Sequence, residues 1–112
     1  TSNFLENERL KEIFNFIRRN FKNKINLNEI ANLSNMTATS FCRYFKLNTG
    51  KSFTQFVNEY KVNHAAKLLM ETDLNIKTIC YDSGFNNFSN FNRFFKKYYN
   101  LSPKKYRDTI LK

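Results

Sequence analysis

The sequence predicts an all-α fold made of two copies of one helical unit. Glycine and proline, the residues that most often interrupt helices, occur only twice and once in 112 residues. Apolar residues recur at spacings of three and four along most of the chain, as they do on one face of a helix. The third observation is an internal repeat, which makes two similar units a better description than one continuous bundle.

The repeat consists of matching residues at two nearly equal offsets. One set of positions recurs 49 residues later, and a following set recurs 50 residues later. A single residue inserted in the second turn explains the step. The pairs are Ile30 and Ile79, Asn35 and Gly84, Met36 and Phe85, then Phe41 and Phe91, Arg43 and Arg93, Phe45 and Phe95, and Lys46 and Lys96.

The first unit is predicted to begin with two helices. An apolar stripe with helical spacing predicts a first helix from about Leu5 to Asn20. Asn26 followed by Glu29 is typical of the N-terminal cap of a second, short helix. Its inward side is expected to carry the apolar residues Leu27, Ile30 and Ala31.

A turn and a third helix complete this unit, which is predicted to span residues 5–50. Thr37 is expected to cap the third helix, and Gly50 is expected to end it in a left-handed conformation. Two short helices joined by a turn of three or four residues are typical of a helix-turn-helix motif.

A long connector helix is predicted over residues 52–71. Its apolar face changes sides midway, which favours a helix shared between two cores. The first face comprises Phe53, Phe56, Val57 and Tyr60, and the second comprises Val62, Ala65, Ala66 and Leu69.

The second unit is predicted to span residues 73–112 and to repeat the first. Asp73 or Asn75 is expected to cap its short first helix, and Gly84 provides the turn. The next helix carries an aromatic stripe, and a serine followed by a proline predicts the start of a last helix. The stripe consists of Phe91, Phe95 and Tyr98, and the start is Ser102-Pro103.

The side opposite each aromatic stripe carries the candidate functional residues. In the second unit these are Ser89, Asn92, Arg93 and Lys96, and in the first they are Thr39, Cys42, Arg43 and Lys46. Hydroxyl, amide, guanidinium and ammonium groups are the ones that contact base edges and phosphates.

Charge and composition favour a polyanionic partner. The formal net charge is +10, which favours nucleic acid first and an anionic membrane surface second, with a solvated surface as the plain alternative. No transmembrane or signal segment is evident, and two cysteines do not make a disulfide framework. A soluble, cytoplasmic protein is expected.

An enzyme is not expected from this sequence. His64 is the only histidine, and no catalytic triad, metal-ligand spacing or glycine-rich phosphate loop accompanies it. Neither a cofactor nor a metal site is therefore predicted. A basic module that coats DNA or membranes, and a protein-interaction domain with an acidic partner, remain as alternatives.

Residues in both units and in the connector follow a known pattern from about Leu10 onward. They are Ile30-Ala31, Met36-Thr37, Phe41, Arg43, Phe45-Lys46, Thr49-Gly50, Phe53, Ala66, Leu68-Leu69, residues 79–85, Phe91, Arg93, residues 95–97, Leu101-Ser102-Pro103 and Tyr106-Arg107. Through these residues the chain resembles the DNA-binding domain of AraC/XylS-type bacterial transcription regulators. Two departures, Asn35 and Asn100, fall where glycine is usual, but asparagine also tolerates a left-handed conformation.

The resemblance implies seven helices, a rigid connector and sequence-specific binding to promoter DNA. The recognition helices would enter successive segments of the major groove. RNA polymerase and a missing N-terminal effector or dimerisation domain are further expected partners. The family's base-reading positions fall on Thr39, Cys42 and Arg43, and on Phe88, Ser89, Asn90, Asn92 and Arg93.

Each of these residues also has a simpler interpretation. Arg43 and Arg93 can fork onto guanine or instead pair with a phosphate or carboxylate. Phe88 can contact a thymine methyl group or belong to the core, and Cys42 can be a redox switch or a surface contact. Asn92 can pair with adenine or stay solvated, Thr39 and Ser89 can cap helices, and Lys46 and Lys96 can bind phosphates or remain in solvent.

Overall fold

The computed structural model describes residues 2–110, and within them every regular element is an α-helix. The all-α prediction and the expected number of helices are confirmed. The predicted second unit extends two residues beyond the described part, and α1 begins earlier than Leu5. The helices are α1 Ser2–Asn20, α2 Leu27–Leu33, α3 Ala38–Thr49, α4 Phe53–Glu71, α5 Ile76–Asp82, α6 Phe88–Tyr99 and α7 Pro103–Ile110.

The repeat is visible in the helix lengths. Helices α2 and α5 each have 7 residues, and α3 and α6 each have 12. The turn between the helices of the first motif covers residues 34–37, whereas the corresponding turn of the second covers residues 83–87. The additional residue lies in the second turn, as the two offsets predicted.

The helix ends repeat as well, because the same kinds of side chain close them. Asn26 and Asn75 accept backbone N–H groups at the starts of α2 and α5. Thr37 accepts the N–H of Ser40 at the start of α3, and Asn87 accepts the N–H of Asn90 at the start of α6. Asn26 and Thr37 were predicted as caps, and of the two candidates Asp73 and Asn75 the structure has Asn75. Asn87 was not predicted, because its cap lies one residue beyond a pure repeat of the first turn.

Left-handed residues stand at equivalent places in both motifs. Asn35 (φ 56°) and Gly84 (φ 94°) lie in the turns, while Gly50 (φ 78°) and Asn100 (φ 62°) end α3 and α6. Asparagine therefore takes the conformation that glycine usually supplies at these positions. The two departures from the family pattern leave the local fold unchanged.

The chain divides into two compact units, residues 1–56 and residues 57–112, and the division falls inside α4. In the first unit the core is aromatic at its centre. Phe45 packs edge-on against Phe53 at 5.5 Å and against Phe56 at 5.2 Å between ring centres. Its buried apolar residues are Ile13, Ile17, Phe21, Ile30, Ala31, Phe41 and Phe45.

The second unit has its own core, to which the later part of α4 contributes. Phe95 stacks on Tyr99 at 4.8 Å and meets Tyr106 edge-on at 5.4 Å. Ile110, near the end of α7, is exposed and lies outside this core. The buried residues of this core are Val62, Ala65, Ala66, Leu69, Ile79, Cys80, Phe85, Phe91 and Phe95.

Arg107 ties α7 to the segment between α4 and α5. Its guanidinium donates hydrogen bonds to the carbonyl oxygens of Leu69 (3.2 Å), Thr72 (3.0 Å) and Leu74 (2.6 Å). These carbonyls stand at the end of α4 and just after it, where no following turn of helix is present to bond them. A planar group with five N–H donors suits three carbonyls that point towards one place.

Replacement of this arginine should destabilise the second unit. For Arg107→Ala we expect a loss of about 2 kcal/mol in the free energy of unfolding, because charged hydrogen bonds disappear and carbonyls lose partners. Arg107→Lys should recover only part of it, since an ammonium cannot span three acceptors. Denaturant unfolding measures the effect, and Arg19→Ala, at an exposed position of α1, is the control. Equal stability of Arg107→Ala and Arg19→Ala would contradict the role.

The left-handed residue at the end of α6 gives a second stability prediction. Asn100→Gly should leave stability unchanged or raise it slightly, because glycine adopts a positive φ without steric cost. Asn100→Ala should lower it by about 1 kcal/mol, since the methyl group disfavours that conformation. Thermal unfolding of the two variants checks the prediction. A more stable alanine variant would show that the left-handed conformation does not limit this position.

Candidate nucleic-acid interface

Helix α3 separates a buried aromatic side from a polar, exposed side. Phe41 and Phe45 are completely buried and fix which way the helix faces. The helix contains no acidic residue, so its exposed charges are all positive. The sequence-predicted residues Thr39, Cys42, Arg43 and Lys46 all lie on its exposed side.

Helix α6 has the same construction. Phe91 and Phe95 are completely buried, and no acidic residue occurs in the helix. Phe88 is 40% exposed and its ring lies 6.1 Å from that of Phe91, so it belongs partly to the surface and partly to the core. Of the remaining predicted residues, Ser89, Asn90, Arg93 and Lys96 are exposed, and Asn92 is half-buried.

The charge distribution along the chain makes both surfaces strongly positive. No acidic residue occurs between Glu29 and Glu59, a stretch that contains all of α3. None occurs between Asp82 and Asp108, a stretch that contains all of α6. The positive charges on each helix therefore have no carboxylate neighbours in sequence to neutralise them, and a polyanion is the partner that such a surface attracts.

The two arginines at equivalent positions have different surroundings. Arg93 donates a hydrogen bond through Nη2 to Oδ1 of Asn90 at 3.2 Å, and its Cζ lies 4.9 Å from the centre of the Phe94 ring. Within residues 2–110, Arg43 forms no hydrogen bond, ion pair or ring contact. Both guanidinium groups are exposed and carry donors that a base edge or a phosphate can accept.

One exposed residue beside the predicted site was missed by the sequence analysis. Leu47 is 80% exposed and lines an open groove of about 570 Å³ together with Cys42, Arg43, Lys46 and Gly50. Its spacing of four from Arg43 places it on the same side of α3. That spacing was the available signal, but an apolar residue does not stand out in a search for polar groups.

The second unit contains the chain's single histidine in a structural contact. Nδ1 of His64 lies 3.1 Å from Oγ of Ser83, a completely buried residue that ends α5. The contact joins α4 to the start of the second turn. Within the described residues, no three side chains of the metal-binding types cluster, and no helix is long and apolar enough to span a membrane.

The two cysteines differ in accessibility. Cys42 is exposed on α3, whereas Cys80 is completely buried in the core of the second unit. Burial raises the pKa of the Cys80 thiol, because the thiolate loses its hydration. Cys80 is therefore poorly suited to chemistry, and Cys42 is the thiol that solvent reaches.

Comparison with known proteins places these features among transcription regulators. A family model described as a helix-turn-helix domain matches residues 30–109. An uncharacterised HTH-type transcriptional regulator, YdeC of Bacillus subtilis, is 29% identical over 95% of this chain and 36% of its own length. The HTH-type transcriptional activator RhaS of Mannheimia succiniciproducens is 30% identical over 89% of this chain and 37% of its own.

A solved structure gives the corresponding result for the fold. A transcriptional regulator of Chromobacterium violaceum, titled as a protein with an AraC-type DNA-binding domain, superposes with a TM-score of 0.84. The match covers 93% of this chain and 93% of that one at 22% identity, so it supports the fold alone. The chain spans little more than a third of the length of the two curated relatives.

The difference between the cysteines can be measured with a thiol reagent. At neutral pH we expect one thiol per folded chain to react quickly, because Cys42 is exposed, and a second only after denaturation. The raised pKa of Cys80 slows its reaction further, since less thiolate is present at a given pH. The Cys42→Ser variant should be unreactive while folded. Rapid reaction of that folded variant would mean that Cys80 is accessible.

Proposed function

Because the chain belongs to the AraC-type helix-turn-helix family of transcription regulators, we propose that it reads promoter DNA through the exposed sides of α3 and α6. Each helix is taken to enter one of two successive segments of the major groove. The curated relatives are named as transcriptional regulators and not as enzymes. What is proposed beyond family membership is which residues contact the duplex and how they divide the work.

The observation that carries this proposal is the position of the candidate residues. Nine of the ten predicted contact residues are exposed, and the tenth, Asn92, is half-buried. Eight of them stand at equivalent positions of two helices that lack carboxylates and whose phenylalanine pairs are fully buried, and Phe88 and Asn90 belong to α6 alone. A helix anchored from behind by aromatic residues is well suited to holding polar groups at fixed positions on a duplex.

Arginine, asparagine and hydroxyl groups are proposed to read bases. Arg43 and Arg93 suit the O6 and N7 acceptors of guanine, which a guanidinium can bind in a bidentate manner. Asn92 suits adenine, and the exposed part of the Phe88 ring suits a thymine methyl group. Thr39, Ser89, Asn90 and Cys42 complete the proposed reading surface.

Lysine residues are proposed to supply affinity without sequence preference. Lys46 and Lys96 lie one turn beyond the arginines, on the exposed side of each helix. An ammonium group binds a phosphate as a point charge and releases condensed counterions from the duplex. The charge of +10 favours such contacts. It equally suits a protein that coats DNA of any sequence, so the experiment must distinguish sequence-specific binding from coating.

The two motifs are proposed to read different sequences, with α4 as their connector. Thr39 and Cys42 stand where α6 has Ser89 and Asn92, so the chemistry offered to the two half-sites is not the same. A single chain then needs no palindromic site. The domain organisation supports this proposal, because each compact unit includes one helix-turn-helix motif.

Partners beyond DNA follow from the relatives. Both curated relatives are much longer than this chain, which supports a further domain that binds an effector or dimerises in the full-length protein. RhaS is named an activator, and a related role here would involve contact with RNA polymerase. Promoter binding would take place in the bacterial cytoplasm.

Selection of bound duplexes from a random pool, followed by mutation of Arg93, tests the proposal. Arg93→Ala should weaken binding to the selected duplex by about 1–3 kcal/mol and relax the preference at one base pair, because a bidentate contact is lost. Competition between the selected duplex and its single-base variants at fixed salt measures both effects. Failure to select any sequence, or an unchanged preference in Arg93→Ala, would favour a coating protein.

Lys96→Ala is the matched variant on the same helix. It should weaken binding to all sequences and lower the salt slope of log K by about 1, because one phosphate contact disappears. Arg19→Ala removes a charge from α1 and controls for the loss of net charge alone. A change in base preference in Lys96→Ala would contradict its assignment to a phosphate.

A further inference from the structure

We propose that Asn90 and Phe94 are positioning residues, which hold the Arg93 guanidinium in its base-contacting orientation while the protein is still free of DNA. The inference rests on the proposed function, because it concerns how Arg93 reads DNA. It changes the role of Asn90 from a residue that contacts DNA to one that acts through Arg93. It also predicts that the two arginines of the repeat read their bases with different stringency.

Two contacts on one helix restrain Arg93. Asn90 lies three residues earlier, and its Oδ1 accepts a hydrogen bond from Nη2 of Arg93 at 3.2 Å. This contact draws the guanidinium towards the first turn of α6, and residues in the first turns of a recognition helix are those that meet base edges. The backbone N–H of Asn90 is bonded to Oδ1 of Asn87 at 2.9 Å, so the acceptor itself stands on a fixed turn.

The Phe94 ring provides the second restraint. Cζ of Arg93 lies 4.9 Å from the centre of this ring, within the range of a cation–π interaction. Phe94 is half-buried, and its ring stacks on that of buried Phe85 with an interplanar angle of 27°. The guanidinium is therefore held against a ring that is itself fixed from behind, and this limits the rotamers that Arg93 explores.

The equivalent positions of α3 lack both restraints. Ser40 stands where α6 has Asn90, and its shorter side chain forms no hydrogen bond with Arg43. Tyr44 stands where α6 has Phe94, but its ring faces another cation, because Cζ of Arg9 from α1 lies 5.5 Å from its centre. Arg9 in turn pairs with Glu6 at 3.7 Å. The Tyr44 ring is therefore occupied by the Arg9 guanidinium and not by that of Arg43.

This difference has a consequence for reading. A long side chain that is free in solution loses rotamer freedom when it binds, whereas one that is already ordered loses less. Arg43 can also move to a neighbouring acceptor when the base beneath it is wrong. Arg93 cannot do so without leaving Asn90 and Phe94. The second unit should therefore discriminate more sharply at its arginine than the first.

The proposal can be tested without DNA by side-chain relaxation of the arginine Nε–H groups in the free protein. We expect slower and smaller motion for Arg93 than for Arg43, and we expect Asn90→Ala to make the two alike. Alanine favours helix at this exposed position, so the variant should fold. Equal mobility of Arg93 and Arg43 in the unmodified chain would overturn the proposal directly.

With DNA, the measurement is the base preference at each position of the selected duplex. Asn90→Ala should flatten the preference at the same base pair as Arg93→Ala, by roughly two- to tenfold, the scale for ordering one long side chain. Affinity for scrambled duplex should not change. Phe94→Leu, checked for folding by thermal unfolding, should act at the same base pair. Ser40→Ala is the matched control in α3 and should change nothing.

A gain of function completes the design. Ser40→Asn places an amide in the same helical register as Asn90 and should sharpen the preference at the base pair that Arg43→Ala relaxes. If Asn90→Ala weakens binding to all sequences equally, or changes the preference at a different base pair, then Asn90 contacts DNA itself and the proposal is wrong. If Arg93→Ala has no effect on base preference, Arg93 does not read a base, and the proposed function itself is contradicted rather than only the role of Asn90.

Discussion

The burial of two phenylalanines on one side of each recognition helix is the constraint on which the rest of the structure depends. Phe41 and Phe45 in α3, and Phe91 and Phe95 in α6, are completely buried. Burial of such a side chain contributes ~1.5–3 kcal/mol, so rotation of either helix about its axis would cost much of that stabilisation. Because the back of each helix is fixed, the direction of its polar front is fixed as well.

The repeat explains how much of the fold the sequence predicted. Matching residues at offsets of 49 and 50 require equivalent helices of equal length, and the structure has them. The caps followed from local chemistry, since asparagine, threonine and serine before an apolar helical pattern satisfy the first free N–H groups. Asn87 was missed because the inserted residue shifts it relative to its neighbours in the repeat.

Other features depend on contacts that sequence spacing does not encode. Arg107 was recognised only as part of a family pattern, and its three carbonyl acceptors lie 33 to 38 residues away in the chain. The difference between Arg93 and Arg43 likewise needed coordinates, because the sequence shows which neighbours differ, such as Asn90 against Ser40 and Phe94 against Tyr44, but not which of them contact the guanidinium. Whether Tyr44 is available to Arg43 is decided by Arg9 on a different helix. For the candidate site, therefore, the exposure of its residues was predictable, whereas the restraint on each side chain was not.

Duplication of one unit would ordinarily give two helix-turn-helix motifs with the same base preference. The second motif would then add affinity for DNA but no new sequence specificity. Here the helices and buried aromatic residues match, while the exposed residues differ. Cys42 stands against Asn92, Leu47 against Lys97, and Ser40 against Asn90. Stability depends on the buried residues, so those positions have little freedom to change without loss of the fold. Exposed positions tolerate substitution with little effect on stability, and for that reason the difference in reading between two copies of one motif can lie almost entirely there.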